Sequence, residues 1–438
     1  MSNSLEANST VEPSLTIFKD RSEYIDQSGN KTVFEEGAVN KETKETLSLI
    51  KRKLEHGYLV EIIKDQKNNP HPLGLSEQCA QNIIALVDAV TSEVGRALIG
   101  ITVMQMTIKA ICPTQSIRLH KGGSGNGTNF SWRKGISMRT LDKAFITPAL
   151  RKYNLLKLNA DGFMMTRSLA ENYPYTPLYK AAIRGGKPEW MAIVEDLESG
   201  NLNGADGLKF LISILLNRSD EFEEKSAKCI LLADKFKAAK RTPQEYFKLI
   251  QNYINGSDYS ARLFEIAIHA AYQSLSELGY IDGYLKPLSQ MRSANKKHGN
   301  IGDIEILLHK QGMLIDEAWD AKFGKYDLRE EIEELADKLQ SHPECKLAGF
   351  ITNTEIDISE NMKRRIDEIS SFFDCEIRIY SFKQWFDHLL VVLEDVSIDF
   401  CEKWFQILAE CLCQKRRTLA PIDEPCEQWI DDLIAIIS

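Results

Sequence analysis

The sequence predicts an α/β protein in which a C-terminal mixed β-sheet core flanked by helices follows a mainly helical N-terminal region. Three observations carry this. Between residues 302 and 325 apolar and charged side chains alternate with the period of two that marks strands, on both sides of a short connection containing Gly312. Beyond it, amphipathic helical patterns and short apolar strands take turns, which implies parallel pairing and a sheet covered by helices. Before it, from 189 to about 254, the periodicity is helical throughout.

The hairpin comes first. Ile304, Ile306 and Leu308 alternate with Asp303, Glu305 and Leu307; after the reversal, Asp316, Ala318, Asp320 and Lys322 fall on one face. Ile315, Trp319, Ala321 and Phe323 fall on the other, with Glu317 as its polar exception. In the segment 326–341, Leu328, Ile332, Leu335 and Leu339 recur at helical spacing. A short apolar strand follows at 346–352. Ser359 caps a helix whose buried stripe is Met362, Ile366, Ile369 and Phe373. Residues 375–381 read as strand and 382–394 as helix. Ahead of the hairpin, 259–278 is a strong helix ended by Gly279.

Asp320 and Lys322 are two residues apart on a strand, so their side chains share a face, and Asp303 sits on the partner strand. Two carboxylates able to bridge a hard cation such as Mg²⁺, beside a lysine that positions or deprotonates water, are what metal-assisted phosphodiester hydrolysis requires. An Asp-x-Lys alone arises by chance in most proteins, and then reads as a solvated sheet face whose ion pairs contribute little. The surrounding element order favours the site.

Together, Asp303, Asp320 and Lys322 and the order of elements over residues 258 to 395 resemble the PD-(D/E)xK superfamily of nucleases, in its type II restriction-endonuclease branch. One departure is that Gly302, not proline, precedes Asp303. The resemblance implies a restriction-endonuclease-like mixed sheet, catalytic roles for Asp303, Asp320 and Lys322, and Mg²⁺ held by Asp303 and Asp320. It also implies a glutamate from the preceding helix. Glu265 interrupts an apolar run there, where a carboxylate is costly unless paired or bound to metal; a helix-edge position reaching water explains it equally, and Glu277 and Glu305 are the substitutes. His269 on the same helix reads as a packed or surface histidine.

The 438 residues, 43% hydrophobic and 27% charged, suit a globular protein of two or three domains and exclude disordered and fibrous classes. The start of the chain, rich in Ser, Asn and Glu, reads as a flexible tail and not as a signal peptide. The most apolar run, 97–108, bounded by Arg96 and Lys109, is far shorter than the roughly 20 residues that span a bilayer, and reads as a core helix. Nine cysteines without a Cys-x-x-Cys pair argue for a reduced, cytoplasmic setting and against structural zinc, Cys411 and Cys413 being a helix face.

A net charge of −9 argues against nucleic-acid binding until its distribution is considered. Lys109, Arg118, Lys121, Arg133, Lys134, Arg139, Lys143, Arg151 and Lys152 face a single acid, Asp142, a local balance of +8 where phosphates would dock. Within this stretch, 121–129 carries four glycines but lacks the Gly-Lys-Ser/Thr ending of a nucleotide loop. It reads either as a loop that orders on DNA, with Arg118, His120, Lys121, Arg133, Lys134 and Arg139 reaching phosphates or guanine edges, or as a solvated linker. Residues 151–186 suggest a short β-unit followed by helix. A second basic loop, 291–300, with Arg292, Lys296 and Lys297, lies beside Asp303 and suits gripping the scissile strand.

The expected organisation is therefore a tail over 1–15, a mainly helical DNA-recognition region over 16–254, the nuclease core over 255–395 and a helical extension over 396–438. The expected function is Mg²⁺-dependent, sequence-specific cleavage of double-stranded DNA to leave 5′-phosphates. A cognate DNA methyltransferase would be the genetic partner, a homodimer the assembly, and no membrane is involved. A structure-specific repair or mobile-element nuclease, or a non-catalytic DNA-binding module, are the alternatives.

Overall fold

The computed structural model describes residues 11–68, 74–90, 93–121, 130–156, 158–183, 185–288, 299–415 and 425–438. The glycine-rich stretch 122–129 and the candidate DNA-binding residues Arg292, Lys296 and Lys297 lie outside them. The chain is mixed α/β and divides into two compact units, Met1–Glu221 and Phe222–Ser438.

The first unit opens with an antiparallel sheet of β1 (Ser14–Ile17), β2 (Arg21–Ile25) and β3 (Lys31–Glu35). The β2–β3 turn is built by Asp26, whose Oδ1 accepts from the amides of Ser28 and Asn30, both at 2.8 Å, with Gly29 at φ +79°. This sheet begins inside the expected tail, at Ser14, and precedes the helices of a region that is mainly helical as expected. Its strands are four or five residues long and bury only Ser22, Tyr24 and Phe34, too little alternation for a periodicity to register.

Helices follow: α1 (Lys41–Glu55), capped by Asn40, α2 (Tyr58–Asn68), α3 (Glu77–Asp88), capped by Ser76, and α4 (Glu93–Ile111). α4 is the expected core helix: every residue from Ala97 to Ile108 is buried, and its Thr102 and Thr107 hydroxyls donate back to the carbonyls of Leu98 and Val103. The segment after it forms α5 (Met138–Leu141), a π turn (Asp142–Ile146) and α6 (Thr147–Lys152). No strand occurs among the described residues of 151–186; two 3₁₀ turns stand there, Phe163–Met165 and Arg167–Leu169. Pro174 and Pro177 remove ladder donors, and the buried hydroxyls of Tyr175 and Tyr179 bond to the carbonyls of Leu169 and Ser168 instead of lining a sheet. α7 (Lys187–Ser199) and the first half of α8 (Gly204–Ala238) complete this core.

In the second unit, α9 (Pro243–Asn255) and α10 (Ser260–Glu277) precede a five-stranded sheet of order β4-β5-β6-β7-β8, with β4 at Tyr284–Leu285, β5 at Ile304–Leu307, β6 at Ile315–Lys322, β7 at Leu347–Thr352 and β8 at Glu376–Ser381. β4, β5 and β6 pair antiparallel; β6, β7 and β8 pair parallel. The connections carry α11 (Arg329–Leu339), α12 (Glu360–Phe373) and α13 (Phe382–Leu393), then α14 (Ser397–Glu410) and α15 (Cys426–Ile437) end the chain. One sheet face, with Ile304, Ile306 and Trp319, packs on α10, α13 and α14; the other, with Ile315, Ala318 and Phe350, packs on α11 and α12.

The division at Glu221–Phe222 differs from the expected boundary at 254–255. α9 is welded to the sheet unit: Phe247 stacks on Phe386 of α13, and the Tyr253 hydroxyl donates to the Trp429 carbonyl of α15. The C-terminal helices are core and not an extension, since Trp404 donates its indole N–H to the Ala267 carbonyl of α10. None of the nine cysteines is disulfide-bonded. Among the described residues no helix is long and apolar enough to cross a membrane.

Candidate active site

Strand pairing assembles the site. The register that sets Ile304 opposite Trp319, with the Asp303 amide donating to the Trp319 carbonyl at 2.9 Å, places Asp303 beside Asp320. Asp303 Oδ2 accepts from the Ala321 amide at 3.1 Å, and Asp320 lies near enough to act on the Asp303 carboxyl group. Lys322, on the same face of β6 as Asp320, puts its Nζ 2.9 Å from Asp320 Oδ2. The three residues expected to act together are therefore in contact.

Their electrostatics follow from crowding. Burial raises Asp303 well above the ordinary carboxylate range, and the charges of Asp320 and Glu265 push it further; the Ala321 amide opposes them. Burial works against the charge of Lys322, but the Asp320 carboxylate, with Asp303 and Glu331, outweighs it and holds the ammonium above its usual value. Lys322 is thus a firmly charged cation and not a neutral amine.

Glu265 reaches this cluster from α10, near enough to act on Asp303, while its own carboxylate bonds to the guanidinium of Arg262 one turn earlier, whose side chain is 1% exposed. Of its substitutes, Glu277 is exposed at the end of α10 and pairs with Lys403 at 3.0 Å. Glu305 is enclosed and serves the backbone: Oε1 accepts from the Ile301 amide at 2.6 Å and Oε2 from Lys286 at 2.6 Å, which shapes the turn leading into Asp303. His269 is packed, its Nε2 3.0 Å from the Lys286 carbonyl oxygen.

Three features of the site escaped the sequence reading. Lys338 of α11 lies 3.9 Å from Asp320 Oδ2, and Glu331 lines the same pocket and pairs with Lys325 at 2.8 Å. Gly302 has a structural reason: a Cβ there would stand 2.5 Å from the Trp319 carbonyl oxygen, so the chain approaches β6 as only glycine allows. Lys338 falls on the edge of the stripe formed by Ile332, Leu335 and Leu339, where a lysine usually lies along apolar surface with its head in water. Nothing in the sequence distinguishes that case from this one.

Among the described residues no three His, Cys, Asp or Glu side chains stand together as a ready metal cage. Mg²⁺ does not need one: it takes one or two carboxylates and fills its other positions with water and phosphate oxygens. Asp303 and Asp320 meet that requirement, being two oxygen donors in contact whose mutual repulsion a cation would relieve.

The basic stretch of the first unit behaves differently from expectation. Arg118 is enclosed, donating to the Tyr175 carbonyl at 2.8 Å and pairing with Glu195 at 2.7 Å, and Lys109 is enclosed beside Glu198 at 3.6 Å. His120 is 2% exposed, stacked on Tyr175 at 4.6 Å, with burial and the Lys121 ammonium pushing it down to about 3. Arg118 and His120 are therefore corrected from DNA contacts to core residues; the acids that neutralise this region, Glu195 and Glu198, arrive from α7, far along the sequence. Lys121 bonds to Asn172, Arg133 is exposed beside Glu35 at 3.2 Å, and Lys134 and Arg139 are exposed. No protein-family model matches this sequence, and no curated protein matches it either.

Proposed function

We propose that the chain is a Mg²⁺-dependent, sequence-specific endonuclease of double-stranded DNA, resembling the type II restriction enzymes of the PD-(D/E)xK superfamily. The observation that carries this reading is the contact of Asp303, Asp320 and Lys322 on adjacent antiparallel strands of a mixed sheet, continued by the parallel strands β7 and β8 and their helices.

Asp303 and Asp320 would hold the cation. When bound, Mg²⁺ polarises a phosphoryl oxygen and lowers the pKa of a water. Lys322, beside Asp320, would orient or activate the attacking water and offset the charge that grows on the phosphorus oxygens. In-line attack breaks the bond to the 3′ oxygen, so that the 5′-phosphate stays with the downstream fragment. Lys121, Arg133, Lys134 and Arg139 remain as candidates for backbone contacts in the first unit. Cutting both strands of a symmetric site calls for a homodimer, and a host would need a cognate methyltransferase to mask its own sites.

The test is incubation of the purified chain with plasmid and bacteriophage DNA in Mg²⁺ or EDTA, beside Lys322→Ala. Discrete fragments that need Mg²⁺ and vanish in the variant are expected. Intact DNA from several sources, with binding retained, would replace this reading by the non-catalytic one; cleavage confined to branched or damaged DNA would replace it by structure-specific repair.

A further inference from the structure

Asp320 is held from two sides. Lys322 is the partner that the strand pattern reveals; the second is Lys338, which arrives from α11. Its Nζ donates to the Ile301 carbonyl at 3.0 Å and lies 3.9 Å from Asp320 Oδ2, with the lysine and aspartate side chains 8% and 9% exposed. An ammonium this enclosed is costly unless charge and hydrogen bonds compensate it, and the described groups that do so are this carbonyl and this carboxylate.

We propose that Lys338 is a positioning residue of the site: it fixes the Asp320 carboxylate and ties α11 to the turn that delivers Asp303. The inference rests on the nuclease reading. Ile301 lies two residues before Asp303, and Asp320 is on the partner strand, so one ammonium spans the two chain segments that carry the carboxylates. Gly302 lets that turn press against Trp319, and Glu305 binds it from within through the Ile301 amide. Lys338 fastens the same turn by its carbonyl. The two lysines have different access: the Lys322 side chain is 21% exposed and can meet a phosphate, whereas the Lys338 side chain is 8% exposed, shares a small pocket with Asp320 and Glu331, and acts through Asp320.

Two measurements test this. The first needs neither metal nor turnover: melting temperatures of Asp320→Asn, Lys338→Met and the double variant in EDTA. Coupled partners give a double variant that melts well above the sum of the two single losses; strictly additive losses would overturn the contact. The second is steady-state cleavage. Lys338→Met lowers kcat about tenfold to a hundredfold, the usual size for residues that orient a ligand, leaves KM for DNA within about twofold of the wild type, and Lys338→Arg recovers most of kcat. A raised KM at unchanged kcat would make Lys338 a DNA contact, and wild-type kinetics in Lys338→Met would remove it from the site; either overturns the proposal. If Lys338→Met fails to fold, Lys338→Gln takes its place in both measurements. A wild type that cuts no DNA under Mg²⁺ removes the nuclease reading and the positioning role with it. Cleavage by the wild type with an indifferent Lys338→Met sinks the positioning role alone.

Discussion

Asp303 and Asp320 stand near each other across the β5–β6 pairing, and the geometry that brings them together makes Asp303 reluctant to ionise. Burial is the larger cause and the neighbouring carboxylates the next. Like charges in contact disfavour each other's ionised form, so the metal-free protein stores an electrostatic penalty at the position where the proposed chemistry needs a cation.

Asp303→Asn is therefore expected to abolish cleavage while raising the melting temperature of the metal-free protein at neutral pH. A carboxyl whose pKa is higher in the folded than in the unfolded chain contributes its full stability below the unfolded value and loses it as the pH rises through the folded value. The asparagine variant lacks that loss, so its advantage should grow from acid to alkaline conditions. Thermal unfolding in EDTA between roughly pH 5 and pH 8 measures it; a constant or shrinking difference would mean that Asp303 is ionised without penalty.

Gly302→Ala should lower stability and activity together. The added methyl carbon would stand 2.5 Å from the Trp319 carbonyl oxygen, which belongs to a paired strand and cannot step aside without breaking the β5–β6 ladder. Overpacking against backbone costs about 1–3 kcal/mol, and the displaced turn carries Asp303. An alanine variant with wild-type melting and cleavage would show that the turn adapts.

The C-terminal unit was the more legible one, and the reasons are local. Ile304, Ile306, Trp319 and Ala321 do share one packed face of the strands, Ser359 does cap its helix through the Met362 amide, and all expected strands after Gly302 are present within a residue or two. Asp303, Asp320 and Lys322 could be placed together because strand parity settles their face. Lys338, Glu331 and the role of Glu305 depend on how α11 and a turn lie on the sheet, which no periodicity encodes. The first unit misled for a related reason. Its basic run is a property of sequence, whereas Glu195 and Glu198 cancel part of it through packing of α7.

That cancellation separates two lysine and arginine classes by experiment. Arg118→Ala should destabilise the protein by about 3 kcal/mol, the low end for breaking a buried pair because Glu195 keeps a third of its exposure. Lys134→Ala and Arg139→Ala should leave melting unchanged and weaken DNA binding instead, each reducing the slope of log affinity against log salt by about 0.9 for a lost phosphate contact. Salt titrations of binding beside melting curves give both quantities. If Lys134→Ala and Arg139→Ala bind as the wild type does, the first unit does not touch the DNA backbone there.

Asp142 offers a stability switch in the first unit that is independent of any chemistry. It is fully enclosed, accepting from the Thr147 hydroxyl at 2.5 Å and the Met164 amide at 2.8 Å, and Gly162 at φ +96° passes so close that a Cβ there would meet Oδ2 at 2.3 Å. Burial outweighs these hydrogen bonds and raises Asp142 from 3.8 to about 6. The folded pKa lies above the unfolded one, so the contribution of this group is full below the unfolded value and lost as pH climbs through the folded one, on the order of 3 kcal/mol across the window. Asp142→Asn carries no such dependence, although its amide N–H₂ must face one of these two donors and costs stability at every pH. The difference in unfolding free energy between wild type and Asp142→Asn should therefore be largest near the acid end and shrink by about that amount once the pH passes the folded value. Urea titrations at both ends of the window measure it, and a difference that holds steady would show that Asp142 stays ionised throughout.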